Sequence, residues 1–137
     1  LRRFMLRHPP ANNQRAVALF LSLGHHEALV RRLSASFQER RERLISELRS
    51  QMPEWKITRT SGGTSVWLEG PRGAHARAVV EAAAARGVVA QAGERYFDRA
   101  EAGERFLRLG ISSIPLNHIQ PGIRELSAAV GRRSVAA

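Results

Sequence analysis

A chain of 137 residues with 43% apolar and 25% charged residues has the make-up of one globular domain and can bury a core, which excludes a disordered or fibrous polymer. It has no run of about 18 apolar residues for a membrane span, no apolar leader behind Leu1-Arg2-Arg3-Phe4-Met5, and no cysteine for disulfides or thiolate metal sites; a cytoplasmic protein without membrane contact is expected. The net charge of +10 rests on 22 basic residues, with Lys56 the sole lysine and arginines spread through every segment near glutamates, as Glu39 and Arg43 at helical spacing, a skew that fits coding bias as readily as a nucleic-acid footprint.

Taken in chain order, Asn12 or Asn13 is placed to cap a first helix from Gln14 to Leu23, with Val17, Phe20 and Leu21 apolar and Gly24 as the stop. A second helix of about seven turns begins near His25, carries Leu29, Leu33, Phe37, Leu44, Leu48 and Met52 on one face, and ends at Pro53. Strands at Trp55–Arg59 and Thr64–Glu69 flank Thr60-Ser61-Gly62-Gly63 and read as a hairpin whose glycines supply turn freedom. The tryptophans Trp55 and Trp67 are expected in the core, among Ile57, Val66 and Leu68.

Pro71 and Gly73 then break the chain. An alanine-rich helix over Ala74–Arg86 closes at Gly87, and Val88-Val89 starts a short strand. Gln91–Arg105 reads as a polar loop. The strand Phe106–Gly110 follows, and a last helix is capped by Asn117, tolerates Pro121 in its first turn, and shows Ile119, Ile123, Leu126 and Val130 at helical spacing. The order α-α-β-β-α-β-β-α predicts an α+β fold, a small, mostly antiparallel sheet packed with helices. We expect one subdomain over 1–137, with a helical lead-in at 1–52 and an α/β part at 53–137.

One residue stands out chemically. Side chains alternate across a strand, so Leu107, Leu109 and Ile111 share one face and Arg108 looks out from the other, with Phe106 and Gly110. A guanidinium is a rigid fork that matches a carboxylate bidentately, and a strand holds it more firmly than a loop. On periodicity alone, an arginine on a solvated face is the commoner outcome. The other constellations are weaker: adjacent helix positions point His25 and His26 apart, with no acidic cluster beside them, and Ser61 and Ser65 do not match a nucleophile elbow.

Several segments together carry a resemblance. Asn13–Leu21, Arg40-Arg41-Glu42-Arg43-Leu44, Gly62-Gly63 followed by Trp67, Gly87-Val88-Val89 and Leu107-Arg108-Leu109 resemble, in order and spacing, the C-terminal small domain of fold-type-I pyridoxal-phosphate (PLP) enzymes, the class I/II aminotransferases. More narrowly, Thr60–Glu69 with Gly70-Pro71, and Ala92-Gly93-Glu94-Arg95-Tyr96-Phe97, resemble the MocR-type branch of the GntR transcriptional regulators, where an aminotransferase-like domain follows a winged helix-turn-helix.

The resemblance implies that Arg108 binds the α-carboxylate of an amino-acid-like effector or substrate. Gly62, Gly63, Thr64 and Ser65 would line the pocket, and Thr64 and Ser65 stand where aminotransferases often have Met-Phe, a departure that implies a regulator or a differently shaped pocket. It further implies PLP in the intact protein, DNA binding through an upstream domain, and a homodimer. The PLP lysine, its aspartate and the phosphate-binding groups would lie upstream. Lys56 sits mid-strand, so the chain by itself is expected neither to hold PLP nor to catalyse. Detached, it is expected to expose apolar surface and associate non-natively. The alternatives are an aminotransferase and, from another class, a basic nucleic-acid-binding domain.

Overall fold

In the computed structural model, residues 10–58, 60 and 62–131 are described. Two units are distinguished, Leu1–Ser36 and Phe37–Ala137, the division falling inside a continuous helix. In the first unit, helix α1 (Ala11–Ser22) follows Pro10 without a side-chain cap. Asn12 and Asn13 therefore lie inside the helix instead of capping it; Pro10 already sets the entry, its carbonyl accepting the Gln14 N–H at 3.2 Å. Gly24, at φ 74°, ends the helix as expected, and its N–H bonds the Leu21 carbonyl. Val17, Phe20 and Leu21 are all exposed, as are Leu19 and Leu23.

Helix α2 (His25–Gln51) buries Leu44, Glu47 and Leu48 along the part that belongs to the second unit. Leu44, Leu48 and Met52 join the core and Phe37 packs against it, whereas Leu33 is exposed. Arg43 pairs with Glu47 at 2.9 Å and not with Glu39, because Glu47 is the buried carboxylate and Gln51 donates to it as well. Arg40 reaches across the fold and donates to the carbonyls of Ile111 and Ser112 at 3.2 and 2.7 Å.

The sheet has the order β1-β2-β4-β3, from β1 (Lys56–Ile57), β2 (Ser65–Glu69), β3 (Gln91–Ala92) and β4 (Phe106–Gly110), and every pairing is antiparallel. The hairpin forms, with Lys56 opposite Glu69 and Ile57 opposite Leu68. Arg59 and Ser61 lie outside the described residues. Val66 and Leu68 from β2 and Leu107 and Leu109 from β4 turn to one side, where Ile111, Val79, Ala83, Ile119, Ile123, Leu126 and Ala129 cover them. The fully buried leucines and isoleucines of this layer each contribute about 1.5–3 kcal/mol on leaving water.

The third strand does not start at Val88-Val89. Helix α3 (Ala76–Ala84) ends in a Schellman turn: Gly87, at φ 79°, donates to the Ala84 carbonyl and Val88 to that of Ala83. The Val88 N–H is thus spent on the helix end, Val89 points into solvent at 89% exposure, and sheet pairing waits until Gln91. Helix α4 (Leu116–Gly131) contains Asn117 instead of being capped by it, and Pro121 falls in its second turn. Its apolar positions Ile119, Ile123 and Leu126 are buried as read from spacing, and Val130 packs at the edge of the core.

Candidate carboxylate-binding site

Arg108 is the midpoint of β4, and the register sets its neighbours: Trp67 on β2 to one side and Gln91 on β3 to the other. Directly opposed residues project to the same face, so Trp67, Arg108 and Gln91 make one row on the face away from the core. Trp67 therefore is not core, in contrast to Trp55, which is buried. The alternation of β2 already required this, because Val66 and Leu68 are the buried positions on either side of it.

An aromatic group surrounds the row. Trp67 stacks on Phe106 with centroids 5.6 Å apart, meets Tyr96 edge-on at 5.5 Å and lies 6.2 Å from Phe97, which is 5.1 Å from Phe106. Tyr96 and Phe97 belong to the segment expected to be a plain loop. It is instead built from β3 and two 3-10 turns, Gly93–Tyr96 and Ala100–Gly103. The turns meet through glycines: a Cβ on Gly93 would lie 2.5 Å from Phe106 Cβ and 2.8 Å from the Gly103 carbonyl oxygen. Arg77 of α3 pairs with Glu94 in the first turn, and that hydrogen bond, with the Coulomb attraction of Glu94, raises the Arg77 guanidinium above its ordinary pKa.

The guanidinium of Arg108 is half-buried and held by neutral groups. Its Nη1 donates to Gln91 Oε1 at 2.6 Å, the same oxygen accepts the Tyr96 hydroxyl at 2.6 Å, and the Tyr96 ring faces the cation at 5.9 Å. Arg31, Arg43, Arg77, Arg86 and Arg105 each pair with a glutamate, whereas no carboxylate pairs with Arg108 among the described residues. Beside it an open cleft of about 680 Å³ runs along Val88, Val89, Ile114 and His118, with Arg108 and Gln91 in its wall. A fixed, uncompensated fork at the wall of a cleft is suited to an anion.

Of the pocket residues read from sequence, Ser65 is brought nearest. It pairs with Gly110 and so lies on Arg108's face, diagonally across the β2–β4 ladder. Thr64 is exposed, and its carbonyl accepts the Ile111 N–H at 2.9 Å. Gly62 and Gly63 are in the turn between β1 and β2, with open space around each. Gln91, Tyr96 and Trp67, which touch or flank Arg108, were not among the predicted site residues. Strand alternation could have found Trp67, but Gln91 depends on the onset of β3.

The chain is 36% identical over 130 residues, 95% of its length, to the HTH-type transcriptional regulator TauR of Rhodobacter capsulatus. It is 31% identical over 90% of its length to the 2-aminoadipate transaminase of Thermus thermophilus. Its fold superposes, with a TM-score of 0.81 over 98% of the chain and 28% identity, on the α-aminoadipate aminotransferase LysN from Thermus thermophilus, whose structure holds N-(5'-phosphopyridoxyl)-L-leucine. The chain is a fold-type-I aminotransferase-like domain.

This aminotransferase-like domain spans 27% of the regulator and 31% of the transaminase, and 34% of the superposed chain. No protein-family model matches it. The α+β fold with its small antiparallel sheet is the one read from the sequence. Among the described residues, no helix of the aminotransferase-like domain is long and apolar enough to cross a membrane, and no group of three His, Cys, Asp or Glu residues is placed to hold a metal.

Proposed function

We propose that the chain is the effector-side domain of a MocR-type, GntR-family transcriptional regulator, in which Arg108 takes the carboxylate of an amino-acid-like effector. The observation that carries this reading is the guanidinium itself: half-buried, held by Gln91, faced by Tyr96, and paired with no acid among the described residues. The 36% identity to the regulator TauR across 95% of the chain supports the regulatory branch, as do Thr64 in the turn and Ser65 at the start of β2. In this reading DNA is bound by a winged helix outside the chain, and effector binding biases the conformations of a dimeric, cytoplasmic protein.

The cofactor of such a protein would be PLP, which supplies an electrophilic aldehyde for amines. The residues of this chain do not fit the amine end of its site. Lys56, the sole lysine, is exposed on edge strand β1. With β2 between it and β4, it stands roughly 10 Å of sheet away from Arg108. The chain's own part is to bind and orient the carboxylate, with Trp67 and Tyr96 flanking Arg108.

The test is the visible spectrum of the intact protein with PLP, before and after a panel of amino acids, for wild type and Arg108→Ala. Amino-acid-dependent band shifts that weaken in the variant, with PLP binding spared, are expected; equal amino-acid affinities would overturn the assignment. The second reading, an aminotransferase, is favoured by the transaminase relative and the LysN superposition. Steady turnover of an amino acid with a 2-oxo acid would select it. The third reading is direct nucleic-acid binding, for which the net charge of +10 is the supporting feature. Salt-sensitive DNA binding by the chain alone would favour it.

A further inference from the structure

Gln91 is the first residue of β3 and stands directly across from Arg108. Its Oε1 is an amide oxygen with two lone pairs, and both are used, by Arg108 Nη1 and by the Tyr96 hydroxyl, each at 2.6 Å. Tyr96 ends the 3-10 turn that starts at Gly93, and that turn is braced by the backbone approach of Gly93 to Gly103. Trp67 closes the other side, opposite Arg108 in the ladder and edge-on to Tyr96.

The chemistry of the acceptor matters as much as its place. An amide oxygen fastens one N–H of the guanidinium without cancelling its charge, and the remaining donors keep their fork geometry. A carboxylate in the same position would form a charge-assisted pair, neutralise the cation and compete with any incoming carboxylate. The other paired arginines illustrate that outcome, as Arg105 does with Glu69 and Arg86 with Glu125.

We propose that Gln91 is the positioning residue of the carboxylate site: its neutral oxygen, shared with the Tyr96 hydroxyl, sets the Arg108 fork while leaving the positive charge available to ligand. The inference rests on the reading of Arg108 as the carboxylate-binding residue. It adds that the identity of residue 91 decides whether that arginine binds a ligand or an internal partner.

The test uses the intact protein freed of PLP and two probes, N-(5'-phosphopyridoxyl)-L-leucine and the matching adduct of 3-methylbutylamine, which lacks only the carboxylate. The readout is the ratio of their Kd values, because general damage to the fold weakens both probes together. Wild type is expected to prefer the leucine adduct by roughly 10- to 100-fold. Gln91→Glu is expected to abolish the preference as Arg108→Ala does, with the amine adduct still bound. Gln91→Met, of similar length but without the oxygen, is expected to lower it about tenfold, and Tyr96→Phe to lower it less.

A preference that survives in Gln91→Glu but disappears in Arg108→Ala would overturn the role of Gln91 and leave Arg108 in place. No preference in wild type, or one kept by Arg108→Ala, would remove the Arg108 reading and this inference with it. If Gln91→Glu binds neither probe, Gln91→Met decides, an unchanged ratio again overturning the proposal.

Discussion

Gly103 and Glu94 touch through backbone: a Cβ built on Gly103 would fall 2.6 Å from Glu94 Cα and 2.7 Å from Glu94 N. No side chain can yield there, so an added methyl must part the two 3-10 turns. Gly103→Ala is expected to destabilise the chain by about 1–3 kcal/mol, read as a lower urea midpoint. Because the first of these turns carries Tyr96, the same variant should also weaken amino-acid binding by the intact protein.

Gly62 and Gly63 are adjacent, yet their substitutions should differ. Gly63 has φ 96°, where an L side chain is strained, while Gly62 has no such angle; neither would meet an atom within 4 Å. Gly63→Ala should cost about 1–2 kcal/mol and Gly62→Ala less than about 0.5 kcal/mol, both measured by denaturant unfolding. Equal costs would mean that the turn adopts a different backbone.

The two tryptophans report on opposite faces of the sheet. Trp55 is 5% exposed, and its indole nitrogen has no hydrogen-bond partner among the described residues, whereas Trp67 is half-buried beside Arg108. In Trp67→Phe the remaining emission should resist acrylamide quenching, and in Trp55→Phe it should be quenched several-fold more readily. Trp55→Phe sacrifices ring area without giving up a hydrogen bond, so its stability cost should stay below the 3–5 kcal/mol typical of a large aromatic cut to alanine.

Titrated with PLP, the isolated chain is expected to show no stoichiometric aldimine absorbance, and Lys56→Arg should leave the titration unchanged. A one-to-one band lost in Lys56→Arg would show that the edge strand supplies an amine after all.

Most of the framework could be read from sequence because it follows from local rules. The alternation of Leu107, Leu109 and Ile111 put Arg108 on the outward face, and Gly24 and Gly87 closed their helices where the spacing said they would. The misreadings have physical causes. Val88-Val89 has strand propensity, but its first N–H is consumed by the Schellman turn. Asn12 and Asn117 are good caps by type, yet each helix starts a residue earlier, just after Pro10 or Pro115. Apolar neighbours suggest a core place for Trp67, but Val66 and Leu68 are the very positions whose burial turns it to the other face. The partners of Arg108 were the least accessible, since Gln91 and Tyr96 reach it only after β3 and the glycine contact bring a polar-looking segment over the sheet.

The outer strands β1 and β3 are only two residues long. An incoming chain would find almost no free ladder to extend, so recruitment by strand addition is disfavoured on both borders of the sheet. Whatever clustering the chain undergoes in solution should then come from the exposed Val17, Leu19, Phe20 and Leu21 of α1. Such clusters should disperse in mild detergent and fail to bind amyloid dyes.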